Sequence, residues 1–269
     1  MKPNQDVALE FFITHTDYLI NDVVSIQEIH NGFTNISYLL KTKDNKQYQV
    51  RFAQNNELVS RINEYEVIKL LNNDLFIFFD KQTGDCIKKW IPGKEVDYFD
   101  KLRLDNLAKA IKQIHQVDIS NSSVLKINYL AGIDNAKLST RHKKLYYHLI
   151  NKYKNLPQTL THSDLNAHNM LVDQNNQIYL IDFEWSRINT PYFDLANMAR
   201  ESLNLQQAYY LVESYQGLDK TIFNDFLIIT CIFALIWTYN MAQTDKIIAY
   251  RKEVQKRLDL YLKLFIGNI

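Results

Sequence analysis

Two cysteines, Cys86 and Cys231, are the only thiols in 269 residues. So few, so far apart, exclude a disulfide framework or a zinc ribbon and point to a reducing compartment. No sign of charge dominates. The 31 Lys and Arg against 30 Asp and Glu leave a formal charge of +1. That excludes the large basic field a nucleic-acid partner needs. Glycine is scarce, at six, and G-x-G-x-x-G does not occur. Long apolar runs are missing too. The longest, from Phe226 to Trp237, is interrupted by Thr230 and is too short for a bilayer, so a buried core helix and no membrane span are expected. The opening MKPNQDVALEFF lacks a basic segment followed by an apolar run, so no signal peptide is expected and the expected location is cytoplasmic. What remains is an ordinary globular composition, 46% hydrophobic and 23% charged, long enough to bury a core in two lobes or domains.

The most informative stretch is residues 157–197. β-favouring residues around Leu160 lead into His162-Ser163-Asp164. After a polar loop come Asn169, the short strand Met170-Leu171-Val172 and the turn Asp173-Gln174-Asn175-Asn176. A second strand, Ile178-Tyr179-Leu180-Ile181, ends on Asp182. Two acids and an Asn thus stand at the mouth of a hairpin. Phosphoryl transfer needs such a set: a carboxylate for the proton of the attacking hydroxyl, and hard oxygen ligands for Mg²⁺ on the nucleotide phosphates. Asp164 suits the first task, and Asn169 and Asp182 suit the second. His162 is expected to brace the loop. Only about 0.05 chance matches to H-x-D-x-x-x-x-N are expected in a chain of this composition.

Here the chain resembles the choline/ethanolamine kinases, within the larger group of aminoglycoside-phosphotransferase-like and protein-kinase-like enzymes. The resemblance is carried by His162, Asp164, Asn169 and Ile181-Asp182-Phe183-Glu184-Trp185, with a later Asp194-Leu195-Ala196-Asn197. It implies an α+β, bilobal protein-kinase-like fold, with a small antiparallel-sheet N-lobe and a larger, mainly helical C-lobe. It implies a nucleotide-binding lobe over residues 1–92 and a catalytic and substrate-binding lobe over 93–269, the connector near 91–95 meeting adenine through its backbone. The implied reaction is ATP-dependent phosphorylation of a small amino alcohol, choline first, with ATP and Mg²⁺ as cofactors.

Upstream, strands are expected at 23–30, 36–41 and 47–53. Asn31-Gly32-Phe33-Thr34-Asn35 lies between the first two and fits a loop over phosphates, with Thr34 and Asn35 as donors. Gly32 followed by Thr34 and Asn35 resembles the family's version; by itself a plain hairpin turn reads as well. Arg51 sits on the third strand, where a guanidinium can pair with phosphate. The apolar spacing of 58–71 predicts a helix, and Arg61-x-x-Glu64 within it resembles the family's helix glutamate, the partner of Arg51. A protein kinase is disfavoured, because the multi-glycine loop, a strand-three Lys and an Ala-Pro-Glu segment are missing.

Downstream, the resemblance to kinase-like folds implies that Asp194, early in a helix, braces the catalytic loop, and Glu201, two helical turns on, shares its face. By resemblance Glu201 lies near the choline pocket, and Glu184 is a possible outer metal ligand or substrate contact. Trp185 and Trp237 are the expected cation-facing rings. The family carries two Trp spaced by three in this helix; here Trp237 matches the second and Ala234 occupies the first. Trp185, Tyr192 or Tyr209 could compensate, or the amine could differ. Ethanolamine, thiamine and aminoglycosides stay open, as does a non-catalytic nucleotide-binding pseudokinase.

Overall fold

The computed structural model describes residues 3–29, 35–54 and 59–267. The chain divides into two compact units. The first takes the residues up to Gly93, plus Ile119–Val124 and Asp182–Ser186; the second takes Lys94–Asp118, Leu125–Ile181 and Arg187 onward.

The first unit is built on an antiparallel sheet of β1 (Val23–Ile29), β2 (Asn35–Thr42), β3 (Gln47–Ala53), β4 (Phe76–Phe79) and β5 (Cys86–Lys89). Its strand order is β1-β2-β3-β5-β4. Side chains alternate across a strand, so each strand serves two faces. One face presents Tyr38, Leu40, Tyr48, Val50, Phe52 and Ile87, which pack with Ala8 and Phe12 of α1 (Gln5–Thr14). The opposite face carries Ser37, Gln49, Arg51 and Cys86, brought into line by the pairings Ser37–Arg51 and Arg51–Cys86. The hydrophobic pattern thus fixes which side of the sheet can hold polar chemistry.

Helix α2 (Arg61–Leu70) starts where the Ser60 side chain accepts from Asn63 N, 3.3 Å away. It begins later than the apolar spacing from position 58 suggests. Its buried face is also different: Arg61, Asn63 and Glu64 are buried beside Val67 and Ile68, while Ile62 is exposed. Ion pairs decide the first turn of this helix.

The second unit holds α3 (Lys101–His115), α4 (Thr140–Lys152), α5 (Pro191–Ser202), α6 (Leu205–Tyr215), α7 (Lys220–Asn240) and α8 (Asp245–Phe265). Helix α7 is long and apolar enough to cross a membrane by length and composition alone. It is instead the core helix of this unit, packed against α5 and α8 with Phe223, Phe226, Leu227, Ile232 and Leu235 buried. Two small sheets complete the unit. Strand β7 (Thr159–Thr161) pairs with β10 (Arg187–Asn189), and β6 (Lys94–Glu95) pairs with β8 (Met170–Val172), which pairs with β9 (Ile178–Leu180). The β8–β9 turn is closed by the Asp173 carboxylate, which accepts from Asn175 N and Gln177 N at 2.8 and 2.9 Å, with Asn176 at φ 59°. Strands β6 and β10 carry no signal of their own in the sequence, because strands of two or three residues are held by their partners.

Candidate active site

In the second unit, β7 delivers His162, Ser163 and Asp164 into a loop whose backbone is held from α5. The Asp194 carboxylate, in the first turn of α5, accepts from His162 N and Ser163 N, both at 2.8 Å. It also meets His115 Nε2 at 3.0 Å, and His115 Nδ1 meets the Tyr215 hydroxyl at 2.9 Å. Hydrogen bonds to an ionised, buried carboxylate are about twice as strong as neutral ones. They hold Ser163 at φ 66°, a left-handed conformation strained for a residue with a Cβ. Asp194 therefore braces the loop, as expected.

His162 is fully buried, and burial holds its imidazole below the ordinary histidine range, that is, neutral at pH 7. Its Nε2 lies 2.9 Å from Ile181 O, and Asp164 N approaches its Nδ1 at 3.4 Å. One proton on Nε2 satisfies both contacts. The ring thus joins the loop before Asp164 to the end of the hairpin, consistent with a bracing role.

Asp164 is half-buried. Asn169 donates from Nδ2 to Asp164 Oδ2 at 2.7 Å and to Asp164 O at 2.8 Å. With the amide nitrogen so engaged, Asn169 Oδ1 is the atom left to ligate a cation. Ile181 N donates to Asn169 O at 3.0 Å, so the loop and the hairpin end are tied at two points.

The same unit contains a polar and aromatic cluster. Glu201, near the end of α5, accepts on Oε1 from Arg200 Nε at 2.7 Å and from the Tyr250 hydroxyl at 2.5 Å. Burial pushes the Glu201 carboxyl up, but the Arg200 guanidinium and the Tyr250 hydrogen bond outweigh it and leave it below the usual carboxylate range. Trp237 meets Tyr250 edge to face, 6.4 Å between centroids. Tyr250 also feels the charge of Asp164, so the cluster and the loop aspartate share an electrostatic neighbourhood. Ala234 is buried in the core. Tyr192 and Tyr209 do not join this cluster. Tyr192 stacks on Phe226 and its hydroxyl accepts from Asp219 N, whereas Tyr209 donates to Asn224 and packs on Phe223. The ring that meets Trp237 is Tyr250, from α8; 49 residues separate it from Glu201, and no local pattern marks it.

The first unit gathers the other candidates. Arg51 Nη1 pairs with Glu64 Oε1 at 2.8 Å, and Arg51 Nη2 donates to Gly84 O at 2.8 Å. Arg61 Nη1 bridges Glu64 Oε2 and Glu184 Oε2, each at 2.8 Å. Asn63 Nδ2 donates to Ser186 O at 2.9 Å. The helix glutamate is Glu64, while Glu66 accepts from Ser123. Glu184 is buried in this ion-pair network, which also identifies Arg61 as a bridging residue that spacing alone does not reveal. Asn35 begins β2, its Oδ1 3.4 Å from Arg61 Nη2; Gly32 and Thr34 lie outside the described residues. Trp185 is half-buried in this unit. Asp182 stands at φ 67°, a strained position, and its buried Oδ1 has no hydrogen-bond partner among the described residues. Burial pushes its carboxyl up against the pull of Arg51. An orphaned buried carboxylate oxygen fits a hard cation. Among the described residues no cluster of three or more His, Cys, Asp or Glu forms a metal cage. A nucleotide-bound Mg²⁺ needs few protein oxygens, since phosphates and water complete its shell.

Comparison with known proteins follows the same lines. Residues 25–220 match the phosphotransferase enzyme family. An uncharacterized protein of Mycoplasma pneumoniae is 35% identical over 270 residues, covering 98% of this chain and 96% of that one. The protein LicA homolog of Mycoplasma capricolum is 26% identical over 233 residues, covering 76% of this chain and 88% of its own. Choline kinase LicA from Streptococcus pneumoniae superposes with a TM-score of 0.71 at 21% identity, over 94% of this chain and 99% of that one. An ethanolamine kinase of Plasmodium vivax gives 0.69 at 19% identity, over 98% and 89%. At such identities these likenesses establish the fold, the protein-kinase-like combination of an antiparallel sheet and a helical part.

Proposed function

The chain belongs to the phosphotransferase enzyme family, and from that premise we propose that it transfers the terminal phosphoryl group of ATP to the hydroxyl of choline. The observation that carries this reading is the grouping of Asp164, held by Asn169, with Glu201, Tyr250 and Trp237 in one unit. A carboxylate that can take a hydroxyl proton and an acid-and-ring cluster that can take an ammonium are the two things an amino-alcohol kinase needs.

Asp164 orients the substrate hydroxyl and accepts its proton as the oxygen attacks the γ-phosphorus and the bond to ADP breaks. Asn169 holds the Asp164 carboxylate in one rotamer. Asp182 and Asn169 offer the oxygen donors for Mg²⁺, which when bound draws charge from the phosphate oxygens. Arg51, fixed by Glu64, is the proposed phosphate contact of the first unit, with Asn35, Thr34 and Gly32 as further proposed nucleotide contacts; residues 1–92 are proposed as the nucleotide lobe and 93–269 as the catalytic and substrate lobe, with Asp182–Ser186 grouping with the first. Glu201 supplies the counter-charge, and Trp237 and Tyr250 the rings, for a cation–π contact of about 0.5–2 kcal/mol. Trp185 and Glu184 are further proposed substrate contacts, Glu184 being held by Arg61.

Ethanolamine is the second reading, favoured by a specific observation. Both donors to Glu201 use Oε1, which leaves Oε2 for an ammonium N–H, and Ala234 stands where the resembled family has a second Trp. ADP release is to be measured with choline, ethanolamine, thiamine and an aminoglycoside panel. Turnover of choline is the expected result; turnover of ethanolamine alone moves the assignment to the second reading, and no turnover of any amino alcohol removes both.

A further inference from the structure

Buried charges of the first unit pair with one another. Arg51, Arg61, Glu64 and Glu184 close on one another. Lys88 does not take part. The register puts it on the chemical face of the sheet: Arg51 lies opposite Cys86 and Gln49 opposite Lys88. Residues two apart on a strand share a face, so Lys88 emerges beside Arg51, away from the α1 core. Each of these two cations stands over a phenylalanine of β4. Arg51 Cζ is 5.6 Å from the Phe79 centroid, and Lys88 Nζ is 5.9 Å from that of Phe76.

Their fates differ. Arg51 is anchored by Glu64 and Gly84 O, whereas among the described residues no acceptor engages Lys88 Nζ. The side chain is half-buried, and burial holds its ammonium below the usual lysine range. Asp182, Arg51, Glu64 and Cys86 are its electrostatic neighbours. A partly desolvated ammonium without an acceptor is costly unless a ligand brings one. An ammonium has three donors and accepts nothing, so that ligand must present acceptor atoms.

We propose that Lys88 is a nucleotide-contacting residue, its ammonium donating to acceptor atoms of the donor nucleotide: phosphate oxygens or acceptors of the purine base, a ring nitrogen in adenine or the keto oxygen in guanine. The inference rests on the phosphotransferase reading above. In the first unit Asp182 and Lys88 then form a complementary pair of unspent charges, one for the cation and one for the anion of a metal–nucleotide complex.

The test is calorimetric binding to the intact chain, without acceptor alcohol, using ATP, GTP and inorganic tripolyphosphate, each with Mg²⁺. Lys88→Met keeps the stem's packing on Phe76 and removes the charge; Lys88→Arg keeps the charge. Lys88→Met is expected to weaken binding by about tenfold or more, the share of one charge-assisted hydrogen bond, and Lys88→Arg to recover most of it. The melting temperature without nucleotide should not fall in Lys88→Met, because an unpaired charge has left a half-buried site. An equal loss for all three ligands assigns the contact to phosphate; a loss for ATP, GTP or both, with tripolyphosphate unaffected, assigns it to the base. Lys88→Met binding all three like wild type overturns the inference and leaves the family reading intact. Wild-type protein that binds no nucleotide overturns both. A lower melting temperature in Lys88→Met with no recovery by Lys88→Arg marks a packing role and also overturns it.

Discussion

Two buried acids, Glu64 in the first unit and Asp194 in the second, are satisfied in opposite ways. In the first, side chains neutralise side chains: Glu64 stands between two guanidiniums, and Arg61 between two carboxylates. In the second, the buried carboxylate Asp194 is spread over backbone N–H groups and a histidine. The first arrangement fixes cations and acids on a sheet face. The second fixes a chain path, so that Asp164 can be presented from a strained loop. Ion pairing is sensitive to loss of either partner, whereas backbone bracing is sensitive to loss of the acceptor alone.

The sharpest way to test this division is at the residue each scaffold presents. Asp164→Asn should lower kcat by about 10²–10⁴, the range for a general base, with an unchanged melting curve. Near-normal ADP release in that variant would remove Asp164 from the chemistry. Glu64→Ala should destabilise by about 3–5 kcal/mol, because it leaves Arg51 and Arg61 buried without their shared carboxylate; urea unfolding reads this, and a change under 1 kcal/mol would mean the network is loosely solvated. Asp194→Ala should cost about 3 kcal/mol by the same measurement and lower kcat as well, because the freed N–H groups release the loop that carries Asp164. If kcat survives Asp194→Ala, the brace is structural only. Trp237→Ala should raise KM for the amine about tenfold with kcat little changed, in keeping with one lost ring face.

The smallest effect concerns pH. Burial lowers the His162 pKa in the folded state, so the unfolded chain binds the extra proton first. Its contribution to stability is whole above the unfolded value of about 6.5 and declines as pH falls toward the folded value, by at most about 1.4 kcal/mol per unit. Comparing urea midpoints of wild type and His162→Gln at about pH 7.5 and about pH 5.5 isolates it. Parallel shifts in the two proteins would show that other groups carry the acid sensitivity.

Much of this was legible beforehand, for identifiable reasons. The β8–β9 hairpin was readable because its strands are bounded by a turn of Asp and Asn, and turn chemistry is local. The bracing role of Asp194 was readable only through the family resemblance, because the N–H groups it accepts from, on His162 and Ser163, lie 32 and 31 residues away. Glu64 was readable through its spacing from Arg61. The start of α2 was not, since its first turn is buried by charge pairing and its apolar Ile62 faces solvent. Tyr250 was not readable either. A tyrosine in an amphipathic helix has no signature until α5 brings Glu201 to its hydroxyl. Lys88 looked like any strand lysine until the register aligned it with Arg51.

From its sequence alone this protein determined its reaction class, because the acids, the Asn and the hairpin that carries them lie within about twenty residues, and short-range order follows from local backbone preference. It also determined which sheet face is apolar, through period-two alternation. Tertiary structure alone decided which charges cancel and which stay available, and which aromatic ring joins Glu201. Those outcomes depend on contacts between residues tens of positions apart, where burial changes the worth of a charge and no spacing in the chain records it.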